Sequence, residues 1–582
     1  MTDYRAPVKE MLFVLNELAG LEGLNALPGF EDATPDLAEA VLEEAALLAA
    51  EVIAPINSIG DQQGTRVEND AVVVPKEFHS AYQQFVAGGW PGIAQSVDGG
   101  GQGLPYLIGL AAEEMWQSAC LAWSLCPMLS QGAVRAIEQH GDDRLRALFL
   151  EKMVSGEYTG TMNLTEPQAG SDLAAVRTQA VPDGDGYRVS GQKIFITWGD
   201  HDMTSNILHL VLARLPDAPD GVKGISLFAV PKRLMNTDGT DGEPNSVRPV
   251  SVEHKLGIHG SPTCVMAFEK AFGYLVGEPN NGLACMFTMM NHARLGVGLE
   301  GISVAERAYQ QALAYAKDRV QGGIPGHKGR VTIIHHADVR RMLMMMKSTI
   351  NAMRSVAYVA GAQLDHAHHN PDPAARSAAQ ARVELLTPVV KGWCTEMAQY
   401  LTSLAIQVHG GMGYVEETGV AQHFRDARIT TIYEGTTGIQ ANDLVGRKLL
   451  RDGGQAFVTL IDDMRATAAE CDDEALGRGV DDLAASVEWV KTNAPGDINA
   501  PGAASVNLLM LTGTVCGGWQ LARAAQAARK RLADGSADKE FLEAKAATAA
   551  YYAQHIMPIA GAYRAAIEAG SESLMALTED QF

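Results

Sequence analysis

The sequence predicts a multidomain α+β protein: an N-terminal helical domain (1–158), a central β-barrel-like domain (159–278), a C-terminal helical bundle (279–450) and an additional helical C-terminal domain (451–582). Three observations carry that prediction. At 582 residues the chain is too long for one hydrophobic core. Its texture turns from Ala-, Leu- and Glu-rich segments to short apolar runs near residue 160, and back again near 280. Beyond 280, apolar residues recur at helical spacing.

Residues 37–46 (LAEAVLEEAA) and 133–138 (AVRAIE) are typical of the first part, built from residues that lose little entropy in a helix. The run from Asp98 to Pro105 interrupts it. A dinucleotide-binding reading of Gly99, Gly100, Gly101 and Gly103 needs a preceding strand. The preceding stretch is helical, so a glycine loop between helices is expected. In the β domain, Tyr187-Arg188-Val189-Ser190 follows a turn at 183–186, and residues 207–212 and 225–230 are apolar runs of strand length. The polar stretch from Asn236 to Pro244 is expected to be a surface loop. Leu295, Leu299, Ile302, Tyr309, Leu313, Ala316 and Val320 mark one face of a long bundle helix. A break is expected at Arg451-Asp452-Gly453-Gly454, followed by alanine-rich helices with one loop at 493–497.

The bulk numbers exclude several functions. Composition is that of a globular protein, and a net charge of −23 argues against nucleic acid or an anionic membrane surface as partner. Met1 to Pro7 has no basic region followed by an apolar run, so no signal peptide is expected, and no stretch is long enough to span a bilayer. The seven cysteines are scattered without a C-x-x-C pair, which favours reduced thiols and a cytoplasmic location.

Chemistry concentrates at Ile432-Tyr433-Glu434-Gly435-Thr436-Thr437-Gly438. A lone carboxylate stands between an aromatic residue and a glycine, in a stretch with few other charges. Kept from water, it would be a stronger base, able to take a carbon-bound proton. The same run also suits a helix N-terminus, with Glu434 or Thr436 near the cap. Thr165-Glu166-Pro167-Gln168-Ala169-Gly170-Ser171-Asp172 suits a polar or phosphate ligand, or a plain turn from helix to strand. In Lys193-Ile194-Phe195-Ile196-Thr197-Trp198-Gly199, Phe195 or Trp198 either stacks on a flat cofactor or sits in the core. Arg319, at the end of the long helix, either clamps a phosphate or satisfies the last carbonyls. His366 and His369 lie one turn apart before Pro371 and suit a helix C-terminus; no metal site is expected. Met342, Met344, Met345 and Met346 are core filler.

Taken together and in this order, these pieces resemble the acyl-CoA dehydrogenase family of flavoenzymes over about residues 35–450. His254 to Ser261, Asn291-His292-Ala293-Arg294, Tyr315 to Gln321, Gln407 to Tyr414 and Phe424 to Arg428 add to the match. The extended N-terminus and extra C-terminal helices resemble a longer bacterial subgroup that includes 3-methylmercaptopropionyl-CoA dehydrogenases. The resemblance implies FAD as cofactor and Glu434 as the base removing the α-proton of an acyl-CoA. It implies that Met162, Leu164, Thr165 and Ser171 line the flavin, and that Phe195 and Thr197 contact its ring. Arg319 would bind the FAD pyrophosphate of a neighbouring subunit, with Gln407 and Gly411 nearby, and Thr436 would complete that site. Arg294 would lie near the CoA arm, with Ser171, Tyr433 and Gly435 at the substrate. The partners implied are an acyl-CoA, an electron-transferring flavoprotein and a second copy of the chain in a homodimer. An acyl-CoA oxidase, or a nucleic-acid-binding flavoprotein relative, is the alternative. Gly438, His259 and Met162 depart from the residues common in the family, as does the stretch after Arg319.

Overall fold

The computed structural model describes residues 4–236 and 238–582, so Met1, Thr2, Asp3 and Thr237 lie outside it. The chain forms two compact units, each assembled from separated stretches. One combines residues up to Glu43, Pro105–Glu114 and Val297–Phe582; the other combines Glu44–Leu104 and Met115–Gly296.

Among the described residues, the second unit holds all the named strands. A two-stranded hairpin, Arg66–Glu68 (β1) and Ala71–Val73 (β2), interrupts the region expected to be wholly helical. Asn69 and Asp70 take its turn in the left-handed region, where Asn and Asp are the tolerated non-glycine residues. The remaining strands are Tyr158–Asn163 (β3), Gln179–Asp183 (β4), Gly186–Thr197 (β5), Asn206–Arg214 (β6), Ile225–Pro231 (β7), Arg233–Met235 (β8), Asp241–Pro244 (β9), Val247–Val252 (β10) and Thr263–Val276 (β11). Pairing runs β11-β5-β4-β6, and β7 pairs with both β6 and β11, so these five strands close into a ring. β10 and β3 extend it, β3 lying parallel to β6. Closure leaves fewer backbone edges unpaired and explains the barrel-like character.

The polar stretch from Asn236 is only partly a loop. Asp241–Pro244 pairs with Arg233–Met235, and an Asp241 carboxylate oxygen accepts from Asn206 Nδ2 at 2.8 Å and from the Tyr158 hydroxyl at 2.5 Å. These specific partners hold a segment whose composition reads as a turn. The glycine run does form a loop between helices. Gly100 and Gly103 have φ of 88° and 67°, and a Cβ on Gly101 would lie 2.3 Å from the Gln95 carbonyl oxygen. The helical part of this unit packs aromatic side chains edge to face, with Phe85 4.9 Å from Trp116 and 5.4 Å from Trp123 between ring centroids.

The other unit is helical. Its frame is the C-terminal part of Gly282–Asp318 together with Ala337–His369, Pro373–His409 and Ala500–Ala533. Leu299, Ile302 and Ala316 are buried as the spacing predicts, but the helix stops at Asp318, and Val320 is exposed beyond it. Helix Ala500–Ala533 comes close through glycine: a Cβ on Gly513 would lie 2.1 Å from the Trp393 ring, and one on Gly392 2.5 Å from Leu509. The N-terminal helix Val8–Glu17 docks on the C-terminal helices. Lys545 Nζ meets a Glu10 carboxylate oxygen, and Lys9 Nζ reaches Asp538 at 2.6 Å.

His366, His368 and His369 fill the last turn of Ala337–His369, and no group of metal-binding side chains occurs among the described residues. Met342 and Met346 are buried, whereas Met344 and Met345 are half-buried. Cys471 is half-buried and the other six cysteines are buried, with no disulfide among the described residues. No helix of the described residues is long and apolar enough to cross a membrane.

Candidate active site

Tyr433, Glu434 and Gly435 form a tight bend between the 3-10 turn Arg428–Thr431 and the helix Thr437–Asn442. Glu434 has φ of 55° and Gly435 φ of 94°. A left-handed glutamate costs on the order of 1–2 kcal/mol and persists only where its surroundings hold it. Here they do. Lys391 Nζ donates to the Gly435 and Thr430 carbonyl oxygens at 2.6 and 2.8 Å, and Gln440 Nε2 donates to the Glu434 carbonyl oxygen at 3.2 Å. A Cβ on Gly435 would lie 2.6 Å from Gln440 Nε2, so glycine is required there. Glu434 is not a cap. Thr436 is, its hydroxyl accepting from the Ile439 N–H at 3.3 Å. Glu434 is half-exposed.

A deeply buried acid near this bend is Glu300, 0% exposed on the long helix. Burial pushes its carboxyl up to about 8; the Tyr433 hydroxyl and Lys391 pull it down, and Glu113 and Glu434 add to the rise. The Tyr433 hydroxyl donates to Glu300 Oε2. Neither Glu300 nor Lys391 was singled out from sequence. The signal available was a single Glu between Leu299 and Gly301, and a single Lys between Val390 and Gly392, in otherwise apolar helical stretches.

In the same unit, Arg319 is exposed one residue past the end of Gly282–Asp318. Gln407 is exposed in the last turn of Pro373–His409, and Gly411 lies exposed just beyond it. The Tyr315 and His409 rings stack at 4.4 Å, which brings the helix end carrying Arg319 to the one carrying Gln407 and Gly411.

In the sheet-containing unit, Met162 ends β3 with Asn163, and Leu164 and Thr165 follow. Glu166 and Ala169 exchange backbone hydrogen bonds at 2.9 and 3.0 Å, closing a turn over Pro167. Ile194 N–H donates to the Thr165 carbonyl oxygen at 2.9 Å, and Lys193 Nζ donates to that of Leu164 at 3.0 Å, so the two sequence motifs meet. Their junction is a buried ion pair, Lys193 Nζ to Glu166 Oε1 at 2.8 Å. Burial works to raise the Glu166 carboxyl, but the Lys193 ammonium, the Thr178 hydroxyl and the Arg177 N–H hold it down at about 2.

The two aromatic candidates separate. Trp198 is buried and donates from Nε1 to the Ala122 carbonyl oxygen at 3.1 Å, so it is a core residue. Phe195 is 59% exposed with φ of 58°, a strained position presenting an apolar ring to solvent. Thr197, half-buried, ends β5, and Ser171 is exposed. Arg294, 7% exposed, sits with its guanidinium 5.8 Å from the Phe287 ring. The exposed ring of Phe195 lies on β5, next in sequence to Ile194, whose N–H bonds the Thr165 carbonyl oxygen, and two residues before Thr197; an exposed ring in such a polar stretch fits a flat ligand with polar edges.

Models of acyl-CoA dehydrogenase domains match the chain in succession: the N-terminal domain at 35–157, the middle domain at 161–271 and the C-terminal domain at 280–449. A model described as acetyl-CoA dehydrogenase C-terminal like matches 457–578. The chain is 47% identical over 584 residues to 3-methylmercaptopropionyl-CoA dehydrogenase of Ruegeria pomeroyi, covering 98% of this chain and 99% of that one. It is 34% identical to the broad-specificity linear acyl-CoA dehydrogenase FadE5 of Mycobacterium tuberculosis, with all of both chains covered. Its fold is similar to that of the Bacillus anthracis acyl-CoA dehydrogenase complexed with FAD, at a TM-score of 0.74 and 19% identity over 97% of this chain and 92% of that one.

Proposed function

The chain belongs to the acyl-CoA dehydrogenase family, and we propose on that footing that Glu434 is the base that takes the α-proton of an acyl-CoA thioester. The product of the reaction is a trans-2-enoyl-CoA. The observation that carries the reading is the bend itself: a carboxylate on a left-handed residue, beside a glycine that admits no side chain, held by Lys391 and Gln440.

FAD is the cofactor of this family and, when bound, supplies the hydride acceptor that no side chain offers. Met162, Leu164, Thr165 and Ser171 line the flavin in this reading, with Phe195 and Thr197 at its ring. The exposed ring of Phe195 supports that assignment. Arg319 clamps the pyrophosphate as a fork of donors on a neighbouring subunit's cofactor, with Gln407, Gly411 and Thr436 close by. Arg294 lies near the CoA arm, and Ser171, Tyr433 and Gly435 contact substrate. Glu434 receives the proton at a carboxylate oxygen, and its backbone N–H is the donor to the thioester oxygen as negative charge develops there.

The acyl group is that of 3-methylmercaptopropionyl-CoA or a fatty acyl-CoA; the full-length 47% identity supports the former. Electrons pass to an electron-transferring flavoprotein, and the protein is a cytoplasmic homodimer divided near residues 158, 278 and 450. Light scattering at twice the chain mass tests the dimer. Anaerobic bleaching of the flavin by a panel of short, branched, sulfur-containing and aryl acyl-CoAs tests the reaction. No bleaching by any of them overturns it, and stoichiometric hydrogen peroxide in air would instead identify an oxidase.

A further inference from the structure

The buried carboxyl of Glu300 has no part in the chemistry above, yet the packing around it is specific. The long helix meets Pro373–His409 almost backbone to backbone. A Cβ on Gly298 would lie 2.5 Å from the Val390 side chain, and one on Gly301 2.8 Å from the Cys394 carbonyl oxygen. These glycines flank Glu300 on one helix, and their contacts flank Lys391 on the other. Both side chains are 0% exposed, and both reach the same bend. Lys391 holds the carbonyl oxygens of Thr430 and Gly435, and Glu300 Oε2 accepts from the Tyr433 hydroxyl, one residue before Glu434. Glu300 Oε1 has no hydrogen-bond partner among the described residues. An isolated buried carboxyl is costly, and a leucine would pack the site more simply.

We propose that Glu300 is a positioning residue for the base: by fixing the Tyr433 hydroxyl to the core helix, it completes the set of contacts that holds Glu434 in its left-handed conformation. The proposal rests on the reading of Glu434 as the base. Lys391 fixes the two ends of the bend through carbonyls and Gln440 fixes its middle, but none of these sets the rotation of the Tyr433 side chain. Without the Glu300 contact, Tyr433 is free to turn, and the strained residue after it relaxes toward the right-handed region, carrying the carboxylate with it. The titratable groups facing Glu300 are Tyr433, Lys391, Glu113 and Glu434. Burial favours the neutral form of Glu300, pushing its carboxyl up to about 8, and either form of the carboxyl can accept the Tyr433 hydrogen bond.

The test uses the holoenzyme and the variants E300A, E300Q, Y433F and E300A/Y433F. E300A is expected to lower kcat by roughly tenfold to a hundredfold, the cost of a misplaced reacting group, with KM changed less than about threefold and FAD content unchanged. Y433F gives a similar loss, and the double variant loses no more than the worse single, since both remove one contact. E300Q, whose amide oxygen still accepts the hydroxyl, recovers most of the loss. Wild-type kcat in E300A and Y433F, or losses that multiply in the double variant, overturn the proposal. Should E300A fail to retain FAD, Y433F and E300Q decide it: wild-type kcat in Y433F, or a loss in E300Q as large as in Y433F, refutes it. E434Q separates the two readings. If E434Q turns over, the base is wrongly assigned; if E434Q is inactive while E300A is fully active, only the positioning role fails.

Discussion

Lys391 Nζ lies 2.6 Å from the carbonyl oxygen of Gly435, and the same ammonium holds the Thr430 carbonyl oxygen at 2.8 Å, so one buried cation ties both ends of the bend that carries Glu434. Lys391→Met keeps the bulk of the side chain and removes both bonds. The buried Thr430 carbonyl and the part-buried Gly435 carbonyl then lack this donor, at roughly 1–3 kcal/mol each. Urea unfolding should show a loss on the order of 2–5 kcal/mol, together with reduced kcat. A variant as stable and active as wild type would show that the bend holds itself.

Glu434→Gln should abolish turnover while FAD stays bound. Glutamine keeps the shape but cannot take the α-proton, a loss of about a hundredfold to ten-thousandfold. Acyl-CoA should still bind, and the flavin should stay oxidised when substrate is added anaerobically. Rapid bleaching would place the base elsewhere.

Arg319→Ala should weaken FAD retention, read as flavin absorbance per chain after gel filtration. Arg319 is exposed one residue beyond its helix, where it is available to a phosphate. If the variant keeps its flavin as wild type does, Arg319 is only a helix-end residue.

The Glu166–Lys193 pair predicts a pH dependence. The folded carboxyl is held at about 2, below its ordinary 4.5, so its contribution to stability is present above pH 4.5 and is lost as pH falls toward 2. Burial also lowers Lys193, to about 8, which opposes the gain near neutral pH but leaves the acid window to Glu166. Glu166→Gln should therefore be less stable than wild type at pH 7, with the gap narrowing between pH 4.5 and 2. A gap independent of pH in urea titrations would remove the ion pair as the cause.

Gly513→Ala tests the seating of the C-terminal helices. Its methyl group would lie 2.1 Å from Trp393, a contact that forces the helices apart. The cost should be about 1–3 kcal/mol, as for overpacking elsewhere, seen as a lower Tm with kcat little changed. An unchanged Tm would mean that the helix Ala500–Ala533 yields freely.

The sequence by itself determined the succession of helical, β and helical regions, the break at Gly453 and Gly454, and Glu434 as the candidate base. The first two are local properties, helical or strand periodicity and glycine at a turn; Glu434 is marked by the order of the motifs along the chain, since its lone carboxylate by itself also suits a helix N-terminus. Tertiary structure decided which neighbours share a fate. Phe195 and Trp198 lie three residues apart, both with left-handed backbone, and sequence allowed either in the core or on a ligand. The end of β5 exposes Phe195, while Trp198 is buried with its indole donating to Ala122. Asp241 looked like loop because its partners, Asn206 and Tyr158, are distant in sequence. Glu300 and Lys391 were illegible for the same reason. Their meaning comes from two helices brought together over Gly298 and Gly301, and burial and pairing are sums over contacts that no local window of sequence contains.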